Sequence, residues 1–188
     1  MIAIIFAGGK GSRIGNLEKA LLEVGNAKLI DYVINAIKNS NIKEFIVTTS
    51  PHTPKTAEYC KLQGYNVRET SGEGYHEDVR ALLKLYPVFI SIASDIPFLT
   101  SSVINTLVKA YKGYSVIGAI PLSLVPKNIK PSYIFKYRNE FLVPIGVNIV
   151  TKSSKSKVIK FREPLLGVNI NTIEELEFAR KVMENHKI

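Results

Sequence analysis

The first stretch able to do chemistry is Ala7-Gly8-Gly9-Lys10-Gly11-Ser12-Arg13, with Lys19 a little further on. Three glycines in so short a loop leave backbone N–H groups free to face an anion without a Cβ in the way. Lys10, Arg13 and Lys19 add the charge to neutralise several phosphate oxygens. Two familiar phosphate loops fail on counting. Neither Gly8 nor Gly9 is followed at the required spacing by Gly-Lys-Ser/Thr, which excludes a P-loop. The dinucleotide fingerprint needs a third glycine where Ile14 stands, and the second strand ends in Thr48, Thr49 and Ser50 with no acid to hold a ribose.

The second stretch is an apolar run that ends in Ser94-Asp95-Ile96-Pro97. The chain has only three aspartates, Asp31, Asp78 and Asp95, so aspartate chemistry has few candidates. A carboxylate at a strand's carboxyl end can hold Mg²⁺, which binds through one or two carboxylates plus substrate phosphates. No His–Asp or Ser–His pair stands out, and His52, His76 and His186 read as surface or loop residues.

Both stretches need a scaffold that brings strand ends to one edge. Residues 1–7 form an apolar run suited to a strand buried on both faces. Leu29, Ile30, Val33, Ile34 and Ile37 recur at helical spacing. Strands are expected over 44–49, 65–69 and 88–93. Helices are expected over 53–62 (capped by Thr53, with Pro54 in its first turn), 73–85 and 100–111. Glu73, Glu77 and Asp78 stand at the positive end of the 73–85 helix. Thr172 and Glu175 make a capping box for a last helix, with Leu176, Ala179 and Val182 on its buried stripe. Residues 115–161 are different, with β-prone runs at 115–122, 133–137 and 141–150 between Pro- and Lys-rich connections. The pattern predicts an α/β, Rossmann-like fold: a mostly parallel central sheet with helices on both faces, and added, partly antiparallel strands that wall the site. No linker divides the chain, so residues 1–188 are expected to form one domain.

Composition narrows the class. With 188 residues, 46% hydrophobic and 22% charged, the chain can bury a core. One cysteine, Cys60, excludes a disulfide framework and a cysteine-cluster zinc site. The leading apolar run is too short to span a bilayer or to form a signal-peptide core, and the expected location is cytoplasmic. The net charge of +9 favours an anionic partner. Lys152, Lys155, Lys157, Lys160 and Arg162 carry only Phe161 as an interleaved aromatic, which reads as a solvated lysine-rich loop; no nucleic-acid partner is expected.

The pattern Ala-Gly-Gly-x-Gly-Ser-Arg-x-Gly followed by a lysine resembles the signature of nucleotidyltransferases with the sugar-nucleotide pyrophosphorylase type of fold, in the MobA-like superfamily. In that family the loop wraps a nucleoside triphosphate, and the arginine and lysine bind its phosphates. An Asp-x-Pro aspartate at a strand end, matched by Asp95-Ile96-Pro97, contacts metal and nucleotide. Three further stretches resemble the GTP:adenosylcobinamide-phosphate guanylyltransferases of archaeal cobalamin synthesis. They are Ser50-Pro51-His52-Thr53-Pro54-Lys55-Thr56, Thr70-Ser71-Gly72-Glu73-Gly74-Tyr75 and Leu142-Val143-Pro144-Ile145-Gly146-Val147-Asn148-Ile149-Val150. Asn169-Ile170-Asn171-Thr172 also fits, and occurs as well in molybdenum-cofactor guanylyltransferases.

The resemblance implies transfer of GMP from GTP to a phosphorylated corrinoid, with release of pyrophosphate. Arg13, Lys19 and Asp95 are the expected catalytic residues, Asp95 also holding Mg²⁺. Ala7, Gly8, Gly9, Lys10, Gly11, Ser12, Ser50, Gly72 and Gly74 are expected to join Arg13, Lys19 and Asp95 around the nucleotide. Gly146, Asn148, Asn169 and Asn171 are expected on the acceptor side. Some relatives carry a second acid near Asn169 and Asn171, so amides there leave Asp95 to hold metal mainly with phosphate oxygens and water. Guanine is expected to be read by backbone groups. Transfer to molybdopterin or another phosphorylated metabolite, and a non-catalytic nucleotide-binding regulator, remain as alternatives. A homo-oligomer is compatible with all of these.

Overall fold

The computed structural model describes residues 1–185. β1 (Ile2–Phe6) runs into the glycine-rich loop, and the hairpin β2 (Glu23–Val24) and β3 (Ala27–Lys28) leads into α1 (Leu29–Lys38). Then come β4 (Phe45–Thr49), α2 (Pro54–Leu62), β5 (Val67–Glu69), α3 (Tyr75–Leu85), β6 (Val88–Ala93) and α4 (Ser101–Ala110). The second part holds β7 (Ser115–Pro121), β8 (Phe135–Tyr137), β9 (Glu140–Thr151), β10 (Ser156–Lys160) and α5 (Ile173–Asn185).

The main sheet has the order β10-β7-β9-β6-β1-β4-β5, with β8 paired to β9. β5, β4, β1 and β6 are mutually parallel, and β9 runs antiparallel to β6, β7 and β8. This is the mostly parallel sheet with antiparallel additions that the strand pattern predicts. β1 is apolar throughout because both its faces are covered. Ala3 and Ile5 pack with α1 and α4 residues such as Val33, Ile37, Ile104 and Leu107, while Ile4 packs under α3 through Leu82. α5 covers a third cluster, where Leu176 and Ala179 meet Ile14, Val24 and Leu29. No described helix is long and apolar enough to cross a membrane.

Several local expectations need correction. Residues 156–160 of the lysine-rich segment are not loop: they form β10, an edge strand parallel to β7. Lysines at an edge discourage pairing with other chains, which is why the segment reads as solvated loop. Thr53 does not cap α2 through its side chain; it bonds Ser50 instead. The open amides of α2 are held by the Glu18 carboxylate, which accepts bonds from Lys55 N (3.0 Å), Thr56 N (2.6 Å) and Thr56 Oγ1 (2.7 Å). α3 begins at Tyr75, leaving Glu73 in the preceding loop. Tyr133 and Ile134 precede β8 rather than joining it. The Thr172–Glu175 capping box of α5 forms in both directions, at 3.1 and 3.3 Å.

Candidate active site

The parallel pairing of β1 with β6 sets Phe6 beside Ala93, so both candidate stretches leave the sheet at the same edge. The glycine-rich loop is built against its neighbours. A Cβ at Gly11 would stand 2.1 Å from the Leu17 carbonyl oxygen, and the residue has φ +62°, so only glycine fits. Gly11 O in turn accepts bonds from Ile14 N and Asn16 N. Gly8, Ser50 and Gly72 stack where β1, β4 and β5 end: a Cβ at Gly72 would lie 2.8 Å from Ser50 Cβ. Ser50 is buried, and its hydroxyl donates to Gly8 O at 2.7 Å and accepts from His52 N. Ser50 thus supports the loop from below. Ala7 is also buried, whereas Gly9, Lys10 and Ser12 face outward.

The charged centre lies beside this loop. Lys19 Nζ forms an ion pair with Asp95 Oδ2 and also donates to Asn171 Oδ1 at 3.0 Å. Arg13 donates to the same Asn171 oxygen and to Ser132 Oγ, each at 2.9 Å. Asn171 is fixed in turn by the α5 cap, since its N–H donates to Glu175 Oε2 at 2.7 Å. Ile170 N donates to Asp95 O at 2.9 Å, which brings the 169–171 segment against the β6 end. Amides, not a second acid, therefore stand opposite Asp95. Glu18 positions Lys19 by clamping the preceding residue to α2.

The acceptor-side candidates divide between two hollows. Gly146, Asn169 and Asn171 line one of about 140 Å³, together with Ile129 to Tyr133. Asn148 lines its neighbour of about 370 Å³, and Tyr133 and Pro144 border both. Gly146 (φ +77°) sits at a break in β9 pairing, where a Cβ would come 3.1 Å from Ala93 Cβ, so the strand can approach the Asp95 turn. A third hollow of about 400 Å³ lies between the glycine-rich loop and α3, lined by Phe6, Gly8, Gly9, Lys10, Gly72, Glu73, Gly74, Tyr75 and Asp78, with Glu73 exposed and Asp78 buried. The Phe6 and Tyr75 rings lie 4.9 Å apart, and Tyr75 Oη pairs with Ser91 Oγ at 2.9 Å. Burial raises the Tyr75 hydroxyl above its ordinary pKa, with the Ser91 bond opposing. His52 and His76 are exposed, and His186 lies outside the described residues.

Sequence reasoning missed Glu18, Ser132 and the cavity face of Asp78. The signal for Glu18 was its place directly before Lys19. Ser132 left no signal, because it meets Arg13 across 119 residues.

A mostly parallel sheet covered on both faces, with a glycine-rich loop, two cations and a carboxylate gathered at one edge, is the architecture of a nucleotidyltransferase. The chain belongs to the MobA-like NTP transferase domain family, which matches residues 3–124. Over 98% of each chain, it is 32% identical to an adenosylcobinamide-phosphate guanylyltransferase of Methanocaldococcus jannaschii. It is 26% identical to a protein of Methanosarcina acetivorans named probable molybdenum cofactor guanylyltransferase, over 93% of this chain and 88% of the relative. Among solved structures, the 4-diphosphocytidyl-2C-methyl-D-erythritol synthase of Anaerococcus prevotii shares the fold, with a TM-score of 0.69, 17% identity and 97% of each chain covered.

Proposed function

We propose that this enzyme transfers GMP from GTP to adenosylcobinamide phosphate, giving adenosylcobinamide-GDP and pyrophosphate. The observation that carries the reading is the Arg13–Asn171–Lys19–Asp95 constellation beside the glycine-rich loop. The acceptor is taken from the relative of matching length, whose similarity extends past residue 124 into the acceptor-side segments.

The chemistry asks for little beyond positioning and charge. An oxygen of the acceptor's phosphate monoester is already anionic near neutral pH. It attacks the α-phosphorus of GTP, the new O–P bond forms, and the bond to the bridging oxygen of the departing pyrophosphate breaks. No general base is required. The difficulty is bringing two anions together, and Arg13 and Lys19 offset it by stabilising charge on the α-phosphate and the leaving group. Asn171 holds both cations in place.

Asp95 fits a Mg²⁺ ligand. Its Oδ1 is buried with no hydrogen-bond partner among the described residues, while Oδ2 is engaged by Lys19. A Mg²⁺ ion held there would be completed by phosphate oxygens and water. When bound, Mg²⁺ supplies charge neutralisation at the triphosphate.

Pyrophosphate release measured with GTP, ATP, CTP and UTP against adenosylcobinamide phosphate and molybdopterin tests the reading. Turnover is expected with GTP and the corrinoid phosphate. Turnover with molybdopterin alone reassigns the acceptor, and no turnover with GTP and any acceptor overturns the reading.

A further inference from the structure

Of the three aspartates, Asp95 belongs to the charged centre. Asp31 has a structural task, accepting from Lys28 N at 3.1 Å and Tyr59 Oη at 2.8 Å. Asp78 has neither. It lies in the first turn of α3 and is 7% exposed. No Lys or Arg among the described residues pairs with it. Its carboxyl group receives one long contact, Ser71 Oγ at 3.5 Å, and its second oxygen takes no bond from a described residue. Helix capping does not account for it. The third helical position, where a capping acid stands, is Glu77, and Glu77 pairs with Arg80 on the surface. A nearly buried carboxylate without a cation is costly, and the positive end of α3 offsets that only in part.

What Asp78 faces is the 400 Å³ hollow between the glycine-rich loop and α3. Phe6 and Tyr75 give this hollow aromatic walls, suited to a flat base. The hollow opens beside Gly8 and Gly9, so a base lodged there leaves its triphosphate at the loop. A carboxylate has two acceptors side by side. Guanine is the common base with two adjacent donors, N1–H and the N2 amino group. Adenine presents a lone pair at N1 there, uracil flanks its one N–H with carbonyls, and cytosine presents a lone pair at N3.

We propose that Asp78 is the specificity-determining residue for the nucleotide: its carboxylate accepts N1–H and N2–H of guanine. This rests on the guanylyl-transfer reading and replaces the expectation that backbone groups alone read the base.

The test is calorimetric binding of GTP, ITP, XTP and ATP to the full chain, without acceptor, for the native sequence and Asp78→Asn. ITP lacks the N2 amino group, so native protein is expected to bind it about tenfold more weakly than GTP, the loss of one charge-assisted bond. Asp78→Asn is expected to weaken GTP by about 30-fold or more and to improve XTP. The new amide N–H meets the xanthine C2 carbonyl while its oxygen still accepts N1–H. Improved XTP binding requires a folded site, so this outcome does not depend on the loss alone. Should the variant not fold, equal ITP and GTP affinities in the native protein still overturn the proposal. A parallel loss for all four nucleotides with unchanged ratios makes Asp78 structural and also overturns it. Equal GTP and ATP affinities in the native protein refute the guanylyl-transfer reading itself, whereas a GTP preference that survives Asp78→Asn unchanged refutes only the role of Asp78.

Discussion

Lys19→Ala separates the ion pair that Lys19 makes in the structure from the role in transfer proposed for the same side chain. The Lys19–Asp95 pair keeps only 18% and 11% of its side-chain surfaces exposed. Truncating the lysine leaves Asp95, itself 8% exposed, without its cation. Breaking a fully buried pair costs about 3–5 kcal/mol; the residual solvent access here lowers the expected loss to about 2–3 kcal/mol. For a chain of 188 residues that corresponds to a fall in Tm of about 4–12 °C. Kinetically, one preorganised contact to the developing charge is lost, so kcat is expected to fall about 10²–10³-fold. GTP affinity is expected to fall by less than about tenfold, because Arg13, Lys10 and the loop amides remain. Lys19→Ala combined with Asp95→Asn removes the stranded charge, so it regains most of the stability but none of the activity. Thermal melts, steady-state rates and direct GTP binding on Lys19→Ala, Asp95→Asn and the double variant distinguish these effects. A kcat within about twofold of native refutes the role of Lys19 in the reaction. Additive losses of stability in the double variant refute the account of the pair.

The glycine-rich loop makes its own contrast. Gly11→Ala is expected to cost about 2 kcal/mol or more, from a positive φ and a Cβ driven against Leu17 O. Gly9 has nothing within 4 Å of a Cβ, so Gly9→Ala is expected to change the melt by less than about 0.5 kcal/mol while still weakening GTP if phosphate approaches there; equal melts for the two variants contradict the loop geometry. Cys60 is fully buried, and burial, aided by the Asp31 charge, pushes its thiol from 9.0 up to about 11. Native protein at pH 8 is therefore expected to leave an aromatic disulfide reagent unreacted until denaturant is added. Because the folded state holds this proton more tightly, its share of stability is full below about pH 9 and is lost as pH rises toward about 11. Melts of Cys60→Ala across that window should show a shallower alkaline decline.

The scaffold was legible where local pattern and tertiary environment demand the same residues. β1 is a continuous apolar run, and β4 and β6 are largely apolar, because helices or cluster residues cover both sheet faces, and the Thr172–Glu175 box marks its helix start through contacts three residues apart. The glycine-rich loop was legible because close backbone approach leaves a compositional trace. β10 was not, since an edge strand with lysines shares its composition with solvated loop, and only its ladder to β7 distinguishes the two. The site was half visible in the same way. Arg13, Lys19 and Asp95 could be named as types, but Lys19 meets Asp95 across 76 residues and Arg13 meets Asn171 across 158. Asp78 is the sharpest case: along the chain it is one more acid at a helix start, like Glu77. Helical rotation turns Glu77 to solvent and Asp78 into a hollow whose other walls come from β1 and the loop after β5. Which of two neighbouring acids can meet a ligand depends on where the helix packs, and that is set by contacts between segments far apart in the chain.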